Sequence, residues 1–479
     1  MTNRTDPDLG PKNINGLQTR SVVLQLTSVL TASLLALNSG VNFGWPSPSL
    51  LHLLSDNSDF NVSEETTSYL VMLSPAAMCV GSPIGGTLID KIGRKHTLLL
   101  LAILQIVSWV CVGVSSQVPL LFLGRILAGM SDGVLGSSLP VYVCEILQPR
   151  IRGYFGSMPT FGICLGSLLI NIYGSFKSVR LAAYISILFP SLFIIIFVTV
   201  PESPYYLLMK NRVDDARKSL KKLRNSDEVE TELVQMSLEV GGEGSEPGKF
   251  KDIFTVPTNL KACLLLLCIR TLQQYSGLSA LGFYNQVIFK EANSEFSPEI
   301  GSITCGVVKL ISGGVGLIMV ERIGRRWLLI CSMGSSSIIL ILLGLYFSFH
   351  ENLGKSKLVS LLPIILMLMF FFVNSAGCMI VPNLIVGEIL SVKIKGSVLG
   401  IVNMYTGIAT GTSSKLFQFL ARTFQMQTPF YTFGVICIVG VSFIYLCLPE
   451  TKGKTFGEIQ EILKGKQREK MRTIYIYKL

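Results

Sequence analysis

The sequence predicts an all-α membrane protein: twelve transmembrane helices in two six-helix bundles. Three observations carry that prediction. The first is composition. Of 479 residues, 49% are hydrophobic and only 15% charged, with a mean hydropathy of +0.54, which leaves too little polar surface for a soluble chain of this size. The second is an internal repeat. GGTLIDKIGRK at 85–95 returns as VERIGRRW at 320–327, with Gly93 and Gly324 231 positions apart; CEILQPRIRG at 144–153 returns as GEILSVKIKG at 387–396, about 243 on; PESP at 201–204 returns as PETK at 449–452, about 248 on. Three ordered repeats at nearly constant spacing mark a duplicated unit. The third is that about a dozen stretches of some twenty residues are long enough to cross hydrocarbon as helices, whereas the period-2 strands of a closed barrel are missing.

Taken in order, the spans are expected near 21–45, 67–89, 97–115, 119–144, 154–175 and 181–200, then near 260–288, 298–320, 328–349, 358–387, 396–420 and 429–449. Gly and Pro scattered through them are tolerated where neighbouring helices satisfy the freed backbone groups. The loops after spans 2, 4, 6, 8 and 10 hold Lys91, Arg94, Lys95, Arg150, Arg152, the basic stretch 210–224, Arg322, Arg325, Arg326, Lys393 and Lys395. The first opposite loop, 52–66, holds Asp56, Asp59, Glu64 and Glu65 without a Lys or Arg. This bias places the basic loops and both termini in the cytosol, with span 1 serving as insertion signal of a multi-pass plasma-membrane protein. The net charge of +11 then follows from topology and contact with the anionic inner leaflet, and no nucleic-acid partner is needed.

The domain plan is a cytoplasmic N-terminus at 1–20, a first bundle at 21–201, a linker at 202–259, a second bundle at 260–449 and a cytoplasmic tail at 450–479. VDDARKSLKKLRNSDEVETELVQM in the linker has helical spacing of apolar residues, which predicts short amphipathic helices along the inner membrane face. GGEGSEPG at 241–248 reads as a flexible joint. The eleven cysteines fall almost entirely within spans, so neither a disulfide framework nor a metal site is expected. The sequon at Asn61 lies in the first outside loop, where glycosylation is permitted; that at Asn3 is cytosolic.

The loop and span motifs resemble those of the sugar porter family of the major facilitator superfamily. The chain carries GxxxDxxGRK as Gly86, Asp90, Gly93, Arg94 and Lys95, GRxxxG as Gly124, Arg125 and Gly129, and ExxxxxxRG as Glu145, Arg152 and Gly153. It also carries PESP, QQxSG as Gln273, Gln274, Ser276 and Gly277, and PETKGKTFGEI at 449–459, so the resemblance covers nearly the whole chain. The run of Gly44, Trp45, Ser47 and Pro48 looks like the insect facilitated trehalose and glucose transporter branch. The resemblance implies that Asp90, Arg94, Glu145, Arg152, Glu321, Arg325, Arg326 and Glu388 form an inner gate. Carboxylate and guanidinium pairs are directional and breakable, which suits a latch between bundles.

A solute site belongs near the bilayer midplane between the halves. Gln273 and Gln274 lie mid-span, where unpaired amides are costly, so they are expected to face the solute and offer it donor and acceptor together; bonding a neighbouring helix is the other reading. Pro382, with Asn374, Ser375 and Gly377 upstream, marks a hinge-like break in span 10. Elsewhere the chain departs from the family. Its span 7 Asn is Ser279, its span 5 Gln is Thr160, its span 8 Asn is Lys309, and the Trp after the span 10 proline is Asn383; Tyr205 and Lys395 replace arginines in the loops. All eight residues, Gln273, Gln274, Ser279, Thr160, Lys309, Asn374, Ser375 and Asn383, are expected substrate contacts, in a pocket altered on an intact scaffold.

Charges inside the spans have two open readings. Arg270, Lys309 and Asp132 belong to no family motif, and each should face water or a partner. They suit either an anionic or strongly hydrogen-bonding solute, or structural pairs such as Asp132 with a base; Arg270 and Gln274, four apart, share a helix face. Span 1 has no carboxylate between Arg20 and Trp45, so facilitated diffusion by alternating access is expected, with trehalose or glucose as cargo. A proton-coupled or organic-anion carrier and a non-transporting sugar sensor are the alternatives. Three histidines and no nucleophile–base pairing argue against an enzyme. Beyond lipid and the small-molecule sugar, no cofactor, metal or obligate protein partner is expected.

Overall fold

A computed structural model of the chain describes residues 14–55, 62–148, 151, 155–241, 252–292, 297–349, 357–390, 392–454 and 456–463. Asn61 and Arg152, expected at a glycosylation site and in the gate, lie outside them. The first half holds span 1 as Ile14–Gly44 and Pro46–Leu53, then Glu64–Lys91, Arg94–Gly113, Val118–Ile146, Met158–Phe176 and Val179–Phe197. The second holds span 7 as three helices, Pro257–Gln274, Leu278–Phe283 and Asn285–Glu291, then Pro298–Ile323, Arg325–Phe349, span 10 as Lys357–Ala376 and Val381–Ile389, Val392–Thr423 and Thr428–Cys447.

Local chemistry explains the starts. Ser63, Ser178 and Ser297 cap spans 2, 6 and 8 by accepting the N–H three residues on, and Pro occupies the first turn of spans 4, 5, 7, 8 and 12, where its missing N–H costs nothing. Span 7 differs from the single helix expected. Gly277 sits at φ +88, in the left-handed region open to glycine, and that one residue ends the ladder begun at Pro257.

Ten helices among the described residues are long and apolar enough to cross a membrane. Spans 7 and 11 complete the twelve: the first is interrupted, and the second is a 32-residue helix with several basic residues. The two halves pack alike. Span 1 lies on span 5, span 2 on span 4 and span 3 on spans 4 and 6; in the second half span 7 lies on 11, 8 on 10 and 9 on 10 and 12. The halves meet along spans 2 and 11 and spans 5 and 8. Close approach depends on small residues. A Cβ on Gly129, the last glycine of the GRxxxG motif, would stand 1.8 Å from the Ser74 carbonyl oxygen of span 2. Outward faces are apolar, with Ile195, Leu188 and Leu446 all exposed, as a bilayer requires.

Between the halves, Pro204–Met209, Val213–Arg224 and Glu230–Gly241 pack through Leu207, Leu220, Leu233 and Met236. Arg224 ties this group to the first half by donating to the Ile146 carbonyl at 3.0 Å while pairing with Glu232 at 2.7 Å.

Candidate functional site

At the end of the bundle carrying the repeated loops, each half builds one ion cluster. In the first half the Arg94 guanidinium grips Glu145, Nε to Oε2 at 2.9 Å and Nη2 to Oε1 at 2.8 Å, and reaches Asp90 at 3.3 Å. Glu202 of PESP accepts the backbone N–H groups of Arg94 at 3.1 Å and Lys95 at 3.0 Å. A carboxylate there satisfies the exposed N–H groups of a helix start and complements its dipole. Ser203 donates to Glu145 as well. In the second half Arg325 contacts Glu388 at 2.9 Å and Glu321 at 3.0 Å. Glu450 of PETK accepts from the backbone of Arg325 at 3.0 Å and Arg326 at 3.1 Å, and Thr451 donates to Glu388. Gly93 and Gly324, at φ +99 and +97, open each helix against its capping carboxylate, where a Cβ would stand 2.4 Å from Glu202 and 2.7 Å from Glu450.

Glu202 and Glu450 were missed as site residues, although the PESP and PETK repeat signalled them. The Arg326 guanidinium contacts the Tyr445 carbonyl and ring rather than an acid. The expected latch between bundles is also arranged differently: among the described residues, no ion pair joins one half to the other. Each arginine opens a helix of its own half, and the acids it reaches come from that half.

The polar bonds that join the halves lie toward the opposite end. Ser47 and Ser302 hydroxyls are 3.1 Å apart, Gln286 donates to Ser175 at 2.7 Å, Lys415 to Ser68 at 2.6 Å and Gln418 to the Glu64 carbonyl at 2.7 Å. Closest to the motif end are Asn403 to the Gly136 carbonyl at 3.4 Å and Cys79 to the Met404 carbonyl at 3.1 Å.

Mid-membrane, the expected solute residues divide. Gln274 accepts from Ser279 at 2.7 Å, while its amide N–H groups bond nothing among the described residues. Asn383 is exposed, Lys309, Thr160 and Ser279 are partly buried, and all four lie on spans 7, 10, 8 and 5. Three others are buried. Gln273 donates to the Cys378 carbonyl at 2.7 Å, holding the non-helical turn of span 10, and accepts from Arg270 at 2.8 Å. Asn374 and Ser375 are fully buried, and Asn374 donates to Ser276 and Ser336 at 3.3 and 3.4 Å. Asn374 Oδ1 and Ser375 Oγ, buried near spans 7 and 9, bond nothing among the described residues. The break in span 10 occupies 377–380, with Pro382 in the first turn of the helix that follows.

Arg270 turns to Gln273 and to Asn383 at 2.6 Å rather than to Gln274; its partner is three residues on instead of four. Asp132 does meet a base, through a residue the sequence reading overlooked. Asn42 of span 1 donates to Asp132 and accepts from Arg125, whose guanidinium lies 4.6 Å from the Trp45 ring centroid. No spacing rule links positions 42, 125 and 132, so only tertiary structure reveals the bridge. A groove of about 280 Å³ between spans 2, 3 and 4, lined by Ile84, Leu88, Leu104, Val107 and Met130, is apolar and lies apart from these groups.

Comparison with known proteins agrees with this architecture. Residues 29–463 match the family model described as sugar (and other) transporter. A facilitated trehalose transporter of Culex quinquefasciatus is 32% identical over 93% of this chain and 86% of its own length, and one of Bombyx mori is 30% identical over 93% and 88%. The Drosophila grimshawi counterpart is 32% identical, but the chain spans only 48% of its length. Among solved structures, the inward-open xylose transporter XylE of E. coli superposes with a TM-score of 0.76 at 21% identity, over 91% of this chain and 99% of that one.

Proposed function

Because the chain belongs to the sugar (and other) transporter family, we propose that it carries a sugar, trehalose or glucose being the expected cargo, across the plasma membrane by facilitated diffusion. The observation that carries this reading is the distribution of bonds. Each half is stapled internally by its own ion cluster, while the halves bond to one another toward the opposite end. Two rigid bodies hinged in this way expose a mid-membrane site to one side at a time, which is alternating access. With the basic loops and both termini on the cytosolic side, the conformation is open inward. The amide of Gln274, with Ser279 and Asn383, supplies the mixed donors and acceptors that sugar hydroxyls need.

In this reading Asp132, bridged to Arg125 by Asn42, is a counter-ion inside the first half. The test is uptake of labelled trehalose and glucose into liposomes holding the purified full-length protein. Saturable uptake that stops at equal concentrations on both sides, and is unchanged between about pH 5.5 and 7.5, is expected in the absence of a titrating coupling group. Accumulation driven by a proton gradient, or a substrate-dependent proton current, overturns facilitated diffusion.

A further inference from the structure

We propose that the solute this protein prefers is an anion: a monosaccharide-sized polyol bearing a carboxylate or phosphate group, held with its negative end against Lys309. The proposal rests on the carrier reading and departs from it only in the cargo, a charged relative of glucose in place of trehalose or glucose itself.

Lys309 stands on span 8 at the seam between halves. Its ammonium lies 3.8 Å from the centroid of the Phe371 ring and 3.3 Å from where a Cβ on Gly282 would be. Cys305, one turn earlier on its own helix, and Cys164 on span 5 of the other half are close enough to interact with it electrostatically. No oxygen of a described residue accepts a hydrogen bond from it. A ring face and two thiols are weak company for an ammonium, which has three N–H donors to satisfy.

The rest of the second half offers it no counter-ion. No Asp or Glu occurs in 257–290, 300–320, 325–349, 357–387 or 392–447. Arg270, the other deep cation of this half, has only the neutral amides of Gln273 and Asn383 as partners, and its Nε is buried without one. The first half shows the contrast: there Asp132 is supplied to Arg125 through Asn42. Uncompensated cations at membrane depth are expensive and point to something that arrives to meet them. A neutral sugar brings no charge. An anionic one forms a charge-assisted hydrogen bond with Lys309, leaves its hydroxyls for Gln274 and Ser279, and is drawn along the path by the positive potential of Arg270.

The test measures binding of glucuronate, glucose 6-phosphate and glucose to the purified full-length protein by calorimetry, and uptake of the same three into liposomes under an imposed membrane potential. Glucuronate or glucose 6-phosphate should bind at least about ten-fold more tightly than glucose, the scale of one charge-assisted bond, and the better of the two identifies carboxylate or phosphate. Lys309→Met should abolish the preference and Lys309→Arg should keep it; uptake of the anion should slow when the receiving side is made negative. Anions that bind no better than glucose to the unaltered protein, or a preference that survives Lys309→Met, overturn the proposal. If Lys309→Met fails to fold, the comparison on the unaltered protein still decides. Binding of an anion with no uptake of any of the three overturns the carrier reading alone, whereas glucose uptake without anion binding overturns the anion alone.

Discussion

At the loop-motif end the two halves are twins; at membrane depth they are not. Arg94 and Arg325 each hold a carboxylate from their own span pair and another from the next helix end on the same side, and Glu202 and Glu450 cap the same helix starts. Deeper in, the first half joins Arg125 to Asp132 through Asn42, while the second holds Arg270 and Lys309 with no acid. The difference separates two kinds of requirement. Closing a helix start and tying three loops together is needed in each bundle whatever it carries. Charge at the seam serves no such bond in the second half, so it is free to answer to the solute.

The largest effect should come from breaking either twin. Arg94 and Arg325 side chains are 5% and 10% exposed, and truncation leaves two acids facing each other without a base, a loss of about 3–5 kcal/mol. Arg94→Ala and Arg325→Ala should therefore both lower the unfolding temperature and surface yield sharply. Arg94→Ala should do so slightly more, because Glu145 is drier than Glu388. If one variant is tolerated and the other is not, the halves are not equivalent at this end.

Next comes the bridge in the first half. Asn42→Ala strips Arg125 and Asp132 of their shared amide, and should cost about 2–3 kcal/mol of stability, as removal of a hydrogen-bond partner from buried charges does. Asp132→Asn should destabilise too, yet leave the pH response of uptake flat. A pH response that appears only with the native Asp132, in the same liposome assay, would make this carboxylate a proton carrier and undo the comparison.

Much of this was legible in the chain. Twelve spans followed from hydropathy and repeat, because lipid exposure and duplication both write themselves along the sequence. The motif arginines and acids were legible for the same reason: Asp90 and Arg94 are neighbours on one turn. Asn42 was not legible, since its partners lie 83 and 90 positions away and an Asn in span 1 carries no periodic signal. Nor could spacing assign the neighbouring amides of span 7. Consecutive helix positions point about 100° apart, so Gln273 turns into the protein toward Cys378 while the Gln274 N–H groups bond nothing among the described residues.

That divergence gives a sharper test. Gln273→Ala should lower stability and transport together, because it frees the turn at Cys378 and leaves Arg270 with one partner. Gln274→Ala should raise KM about ten-fold, the worth of one or two hydrogen bonds to solute, with normal surface yield. Equal loss of stability in both would place Gln274 in the packing as well, and would leave the seam of the second half without its expected sugar-facing amide.

The smallest effect should come from Ser279, whose hydroxyl donates to Gln274 Oε1 at 2.7 Å. Its bond holds the carboxamide by the oxygen and leaves the N–H groups for another partner. Ser279→Ala removes that orientation without removing the amide, so KM should rise only about two- to three-fold, near 0.5 kcal/mol, the low end for one neutral hydrogen bond. Combined with Gln274→Ala, the serine change should add nothing, because it acts through the glutamine. A double variant whose KM rises by the product of the two single effects would mean that Ser279 touches the solute on its own account, and that the second half presents two independent sugar contacts rather than one amide and its support.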